Sequence, residues 1–177
     1  MKVHKPLFSD VVALTKDWCS ENGVALPYFN IEIKRRDGYD GQFHPGAQEF
    51  SQLVVEQVNE LGIKKETYIQ SFDYASLKAT KEIDAEIKLV LLIGEESNID
   101  ENVKKLGFTP EVYSPYFKLI DEATVKYCKE AGMQLIPWTV NEVDDMKRQI
   151  ELGVDGIITD YPDRLVALCN EQEINIK

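Results

Sequence analysis

The chain has 177 residues, 44% of them hydrophobic and 29% charged, the proportions of a globular domain long enough to bury its own core rather than of a disordered tail or a disulfide-stapled mini-protein. Its formal net charge of −11 repels phosphate backbones and anionic headgroups, which excludes nucleic acid and membrane surfaces as general partners. The longest apolar run, 89–93, is strand-sized and far short of the roughly 20 residues that cross a bilayer.

The N-terminus, with His4 and Pro6, lacks the apolar stretch of a signal peptide, so the chain as written is expected in the cytoplasm, and any export signal of a longer parent would lie upstream. An amphipathic helix is predicted over 9–22, with Ser9 as N-cap, Val12, Leu14 and Trp18 among its core positions and Gly23 closing it. A first strand follows over 26–34, then a long polar loop through Gly38, Gly41 and Pro45. From there helices at 47–61, 74–83, 99–106, 122–131, 142–152 and 162–171 alternate with apolar runs at 68–72, 89–94, 112–115, 135–140 and 156–160. The runs recur at roughly 22-residue intervals, the length of one β-plus-α unit, and predict parallel strands joined by right-handed crossovers. Cys19, Cys128 and Cys169 sit inside helical patterns at spacings too wide for a zinc knuckle and are expected as buried free thiols.

The even loop lengths show no reversal of strand order, and no G-x-G-x-x-G opens a helix, so a (β/α) barrel of the TIM type is favoured over a doubly wound sheet. A closed barrel has eight strands in about 250 residues. Six strands in one 177-residue domain therefore predict an incomplete barrel lacking two strand units, whose exposed strand edges invite self-association.

Within that frame the polar strand ends carry the chemistry. The alternation Asn30-Ile31-Glu32-Ile33-Lys34 puts Asn30, Glu32 and Lys34 on one face and the isoleucines on the other. The polar face is either the wet side of an edge strand or an inward set in which Glu32 binds a divalent cation and Lys34 an anionic substrate. Phe72 is core or pocket, and Asp73 a cap for the next helix. Trp138 is a core residue or the wall of a substrate pocket, with Asn141 placed to cap the helix behind it. Asp160 either caps a helix or reaches the site. His4 and His44 are expected at the surface, with a supporting role as the alternative for His44 because its loop leaves the active face, and Glu82/Asp84 and Glu142/Asp144 fall at helix ends rather than at strand ends where a metal would be held.

These strand ends resemble the glycerophosphodiester phosphodiesterase family. The matching runs are Asn30-Ile31-Glu32-Ile33-Lys34, Gln70-Ser71-Phe72, Ser114-Pro115, Pro137-Trp138-Thr139-Val140-Asn141, and Gly153-Val154-Asp155-Gly156-Ile157-Ile158-Thr159-Asp160-Tyr161-Pro162, in the family's order, over Pro6 to about Leu168. The resemblance implies a (β/α)₈ barrel of the phospholipase-C-like kind. It also implies hydrolysis of deacylated phospholipids to glycerol 3-phosphate and an alcohol with Mg or Ca as cofactor. It assigns Glu32 to the metal, Lys34 to the phosphate, and Phe72 and Trp138 to the pocket. The family's opening His-Arg-Gly, Pro-Glu-Asn-Thr, Glu-x-Asp and His-Asp runs are not in this sequence, so none of its catalytic histidines is matched. The expectation is thus a metal-dependent phosphodiesterase in the parent, with this chain truncated and inactive alone. Two alternatives stand beside it: a non-catalytic remnant that binds a phosphoester or a protein partner, and another metal-dependent barrel that abstracts a proton.

Overall fold

The computed structural model describes residues 5–95 and 98–174, so His4 lies outside the described residues. In chain order the elements are α1 (Phe8–Asn22), β1 (Phe29–Glu32), α2 (Ala47–Glu60), β2 (Thr67–Ser71), α3 (Tyr74–Ile83), β3 (Lys88–Ile93), α4 (Ile99–Leu106), β4 (Val112–Pro115), α5 (Glu122–Ala131), β5 (Gln134–Leu135), α6 (Val143–Leu152) and α7 (Pro162–Glu171). All five strands are parallel and lie side by side in chain order. That is the arc of a barrel, with the helices on its outer face.

Local sequence explains most boundaries. Asp73, Asn98 and Asp121 each accept hydrogen bonds from backbone N–H groups in the first turn of α3, α4 and α5, satisfying donors that have no partner inside the helix. Gly107 ends α4 at φ 86°, where its N–H reaches Val103, a conformation that a β-carbon resists. The core runs through the middle of the arc. Along β3, Leu89, Leu91 and Ile93 join the main apolar cluster with Ile69, Leu77 and Leu106, while Val90 and Leu92 are buried on the opposite face. Burial on both faces is what a parallel sheet under crossover helices requires.

Several sequence expectations are corrected. Ser9 is not the cap of α1: Leu7 occupies that position without a side-chain bond. Val12 and Cys19 are buried, but Leu14 is 72% and Trp18 57% exposed. Periodicity shows two apolar stripes on this helix, roughly 100° apart. Among the described residues only the Val12 stripe has a neighbour, because α1 adjoins α2, where Lys16 donates to the carbonyl of Leu61. The first strand is four residues rather than nine.

The 156–160 run is not a ladder strand, although it lies beside β5 and its extension: the Asp155 N–H donates to Leu135, Ile158 to Pro137, and Val140 back to Ile158. Two local features break the reciprocity that defines a parallel ladder. Pro137 has no N–H to return the bond from Asp155. At Ile158 the returning donor is Val140, one residue beyond the regular position, as in a bulge. Asn141 does not cap α6, whose N-cap is Glu142. It bridges instead to the sixth run, donating to Asp160 (2.9 Å) and accepting from the Asp160 N–H (3.0 Å) and the Thr159 hydroxyl (3.2 Å). Asp160 is thereby tied to the preceding strand end, and Tyr161 takes the cap of α7.

Candidate active site

A cavity of about 270 Å³ opens at the C-terminal ends of the strands, lined by Glu32, Lys34, Gln70, Phe72, Leu92, Trp138, Thr139 and Ile158. The strand pleat selects them. In register, Glu32 stands opposite Gln70, Gln70 opposite Val90 and Leu92 opposite Ser114, so these positions share one face. Ile31 and Ile33 take the other face and pack on the main core. Glu32, Lys34, Phe72 and Trp138, the four residues singled out above, come together here from chain positions more than 100 apart.

Lys34 Nζ lies 3.4 Å from Glu32 Oε2, with the lysine side chain 77% exposed and the glutamate 24%. The ammonium reaches out from the wall while the carboxylate sits at its foot. Beside them Asn30 donates to Gln70 Oε1 at 2.9 Å, which leaves the Gln70 amide N–H groups as donors. The opposite wall is aromatic. Phe72, 45% exposed, meets Trp138 edge to face with ring centres 5.4 Å apart. Trp138 donates its indole N–H to the Ser114 carbonyl at 2.8 Å and touches Tyr116 at 5.8 Å, so the plane of the indole is fixed from behind.

The rim next to Lys34 is held by a guanidinium that sequence reasoning missed. Arg35 Nε and Nη2 donate to Asp40 at 2.9 and 2.6 Å, and Nη1 donates to Asp73 at 3.0 Å. The Asp40 hydrogen bonds, then Asp73, raise the Arg35 pKa further against the opposing effect of burial. Asp40 is in turn held below the usual carboxylate range by Arg35. For Asp73 burial pushes upward, but the Ser76 and Arg35 hydrogen bonds outweigh it and lower its pKa. Ser71 ties the same two strand ends together, donating to the Ile33 carbonyl (2.7 Å) and accepting from the Asp73 N–H (3.0 Å). A signal was present: Arg35 is followed by Asp37 and Asp40 in a glycine-punctuated loop, and the parity that selects Glu32 also selects Gln70 and Leu92.

His44 does not fit its surface reading. Its side chain is 12% exposed, and Nε2 accepts from the Arg36 backbone N–H at 3.0 Å. The ring proton is therefore on Nδ1, which faces the Pro45 carbonyl at 3.0 Å and Asp40 at 3.3 Å. Both nitrogens serve the loop, so His44 is a brace rather than an acid or base aimed at the cavity. The three cysteines are free and buried, and burial pushes the Cys128 thiol up to about 12, which keeps it un-ionised and inert.

A divalent cation of the kind the family resemblance implies wants six or more oxygen ligands. Among the described residues Glu32 is the one carboxylate lining the cavity, already paired with Lys34. Among the described residues no group of three or more His, Cys, Asp or Glu side chains is placed to hold a metal. The groups present do not compose a cation site by themselves. What the arrangement offers chemically is a cation, amide donors and a flat aromatic wall around a space the size of a small phosphoester.

Residues 6–164 match the glycerophosphoryl diester phosphodiesterase family. The chain is 36% identical over 142 residues to a glycerophosphodiester phosphodiesterase of Caldanaerobacter subterraneus, a match covering 78% of this chain and 54% of the relative. Among solved structures, a Silicibacter pomeroyi protein assigned to the glycerophosphoryl diester phosphodiesterases superposes with a TM-score of 0.83 at 23% identity, over 98% of this chain and 59% of that one. An Oleispira antarctica phosphodiesterase superposes at 0.74 with 18% identity, over 93% and 61% respectively. The chain thus spans little more than half the length of the proteins it is similar to.

Proposed function

The chain belongs to the glycerophosphoryl diester phosphodiesterase family, and from that premise we propose that it is the substrate-holding arc of a barrel that hydrolyses glycerophosphodiesters to glycerol 3-phosphate and an alcohol. The observation that carries this is the convergence of Lys34, Gln70, Phe72 and Trp138 around one cavity at the strand ends, where barrel enzymes of every chemistry place their sites. The Oleispira antarctica structure is a complex with the product sn-glycerol 3-phosphate, which supports the same substrate class.

In this reading the Lys34 ammonium and the Gln70 amide hold the phosphoryl oxygens and offset the charge that grows on them as water adds to phosphorus and the alcohol leaves. Phe72 and Trp138 pack against the glycerol carbons and exclude water from that side. Glu32 orients Lys34 and, in a complete barrel, would be one carboxylate of a divalent-ion site whose other ligands lie outside the described residues. His44 is committed to its loop, so the group that protonates the leaving alcohol is not a histidine of the described residues.

The test joins to this chain the part of the Caldanaerobacter relative that it does not match, and measures release of glycerol 3-phosphate from glycerophosphocholine. The joined barrel is expected to turn over, to stop with a chelator or with Glu32→Ala, and to slow about 10²-fold with Lys34→Met. The isolated chain is expected to release almost none. Equal turnover by the isolated chain, or a barrel indifferent to Glu32, overturns the reading. A non-catalytic phosphoester-binding protein would keep product binding and show no turnover in either form.

A further inference from the structure

The chain has ten glycines, and local structure accounts for most of them. Seven have a positive φ, which a side chain resists, and Gly46 is the N-cap of α2. Of the two others, Gly156 faces Ile136, while Gly94, one residue past the end of β3, faces the candidate site. Its φ is not positive, so the backbone does not require glycine there. Packing does not require it either. A β-carbon on Gly94 would stand 3.5 Å from Phe72 Cε1 and 3.9 Å from Trp138 Cη2 and Cζ2, ordinary van der Waals separations at which an alanine would gain contacts with both rings. A glycine in or beside a strand gives up packing and backbone entropy, and where neither turn nor crowding explains it, it marks a place that something else approaches closely.

Position 94 has the parity of Leu92, which lines the cavity, so a side chain there would point to the inner face. Leu92, two residues deeper, is 4% exposed, whereas Gly94 is exposed. The corner where Phe72 and Trp138 meet edge to face therefore has an open recess at its foot, floored by bare backbone. We infer that Gly94 is a specificity-determining residue: the recess takes the carbon chain of the phosphoester, and side-chain size at position 94 sets how large an organic group the cavity accepts. The inference rests on the phosphoester reading proposed above and divides that cavity in two. Lys34 and Gln70, from the first two strand ends, meet the phosphate, which every phosphoester shares. The corner of Phe72, Gly94 and Trp138 meets only what the phosphate carries. One methyl more or less in such an apolar corner changes discrimination by about 10–200-fold.

The test compares two ligands on the 177-residue chain by titration calorimetry, inorganic phosphate and sn-glycerol 3-phosphate. Both should bind the parent chain, and Lys34→Met should abolish both. Gly94→Ala should keep the circular dichroism of the parent and hold or raise its urea midpoint, because the backbone conformation suits alanine. It should weaken sn-glycerol 3-phosphate about tenfold and leave inorganic phosphate unchanged, and Gly94→Val should widen that gap. Equal losses for the two ligands, no loss for either, or a Gly94→Ala chain that unfolds at lower urea overturns the inference, while binding that depends on Lys34 keeps the phosphoester reading intact. A parent chain that binds neither ligand, or that binds both equally well without Lys34, overturns that reading and the inference with it.

Discussion

β3, in the middle of the arc, buries Leu89, Leu91 and Ile93 under the helices and Val90 and Leu92 on the inner face, whereas at the edge the two residues that follow β1 bury Ile33 on one side and leave Lys34 open on the other. The opposite flank is thin as well, with Val140, Met146 and Leu168 forming a separate small cluster between α6 and α7. Stability is concentrated where the sheet is covered on both sides. The groups that meet in the candidate site come largely from the flanks, Glu32 and Lys34 from one and Trp138, Thr139 and Ile158 from the other. A barrel that draws its chemistry from strand ends on both sides of an opening depends on that opening being held at a fixed width.

The sharpest way to break the comparison is to remove volume from its middle. Leu91→Ala is expected to cost about 2–5 kcal/mol in urea unfolding, and Leu14→Ser on the exposed stripe to stay within about 0.5 kcal/mol. Equal effects would mean that the middle is no more a core than the flank. Met146→Ala in the small cluster should cost about 2 kcal/mol and act locally, with hydrogen exchange in α6 and α7 rising while β2–β4 stay protected. Arg35→Met leaves Asp73 without its guanidinium, and a loss of about 1–3 kcal/mol is expected, together with faster proteolysis of the 35–45 loop. The smallest effect is in pH. Asp73 has a lowered pKa in the fold, so its contribution is complete above the unfolded value near ~3.9 and is lost as pH falls through the lower folded value. The acid limb of stability should therefore be shallower in Asp73→Asn than in the parent.

Much of the fold was legible because β/α alternation is written in local signals. Asp73 marks a helix start in the sequence and caps it in the structure, the helices expected at 99–106 and 122–131 begin where Asn98 and Asp121 cap them, and the sequential parallel order follows from the even spacing. What escaped depended on neighbours. Periodicity finds the apolar stripe of Leu14 and Trp18 but does not tell which of two stripes on a helix has something to pack against. The failure of the sixth run to form a ladder turned on Pro137, visible in the sequence, and on a bulge at Trp138 to Val140, which was not. In the site, strict alternation placed Glu32 and Lys34 together, while the Arg35 fork and the His44 brace depended on how an eleven-residue loop folds back on itself.

The central claim is that the flanks form one phosphoester pocket walled by Trp138 and charged by Lys34. In a Trp18→Phe variant Trp138 is the only tryptophan of the chain, and its emission can be followed as sn-glycerol 3-phosphate is added. A saturable change that disappears in Lys34→Met is the result expected. An emission that does not respond, or responds equally without the lysine, would contradict the account.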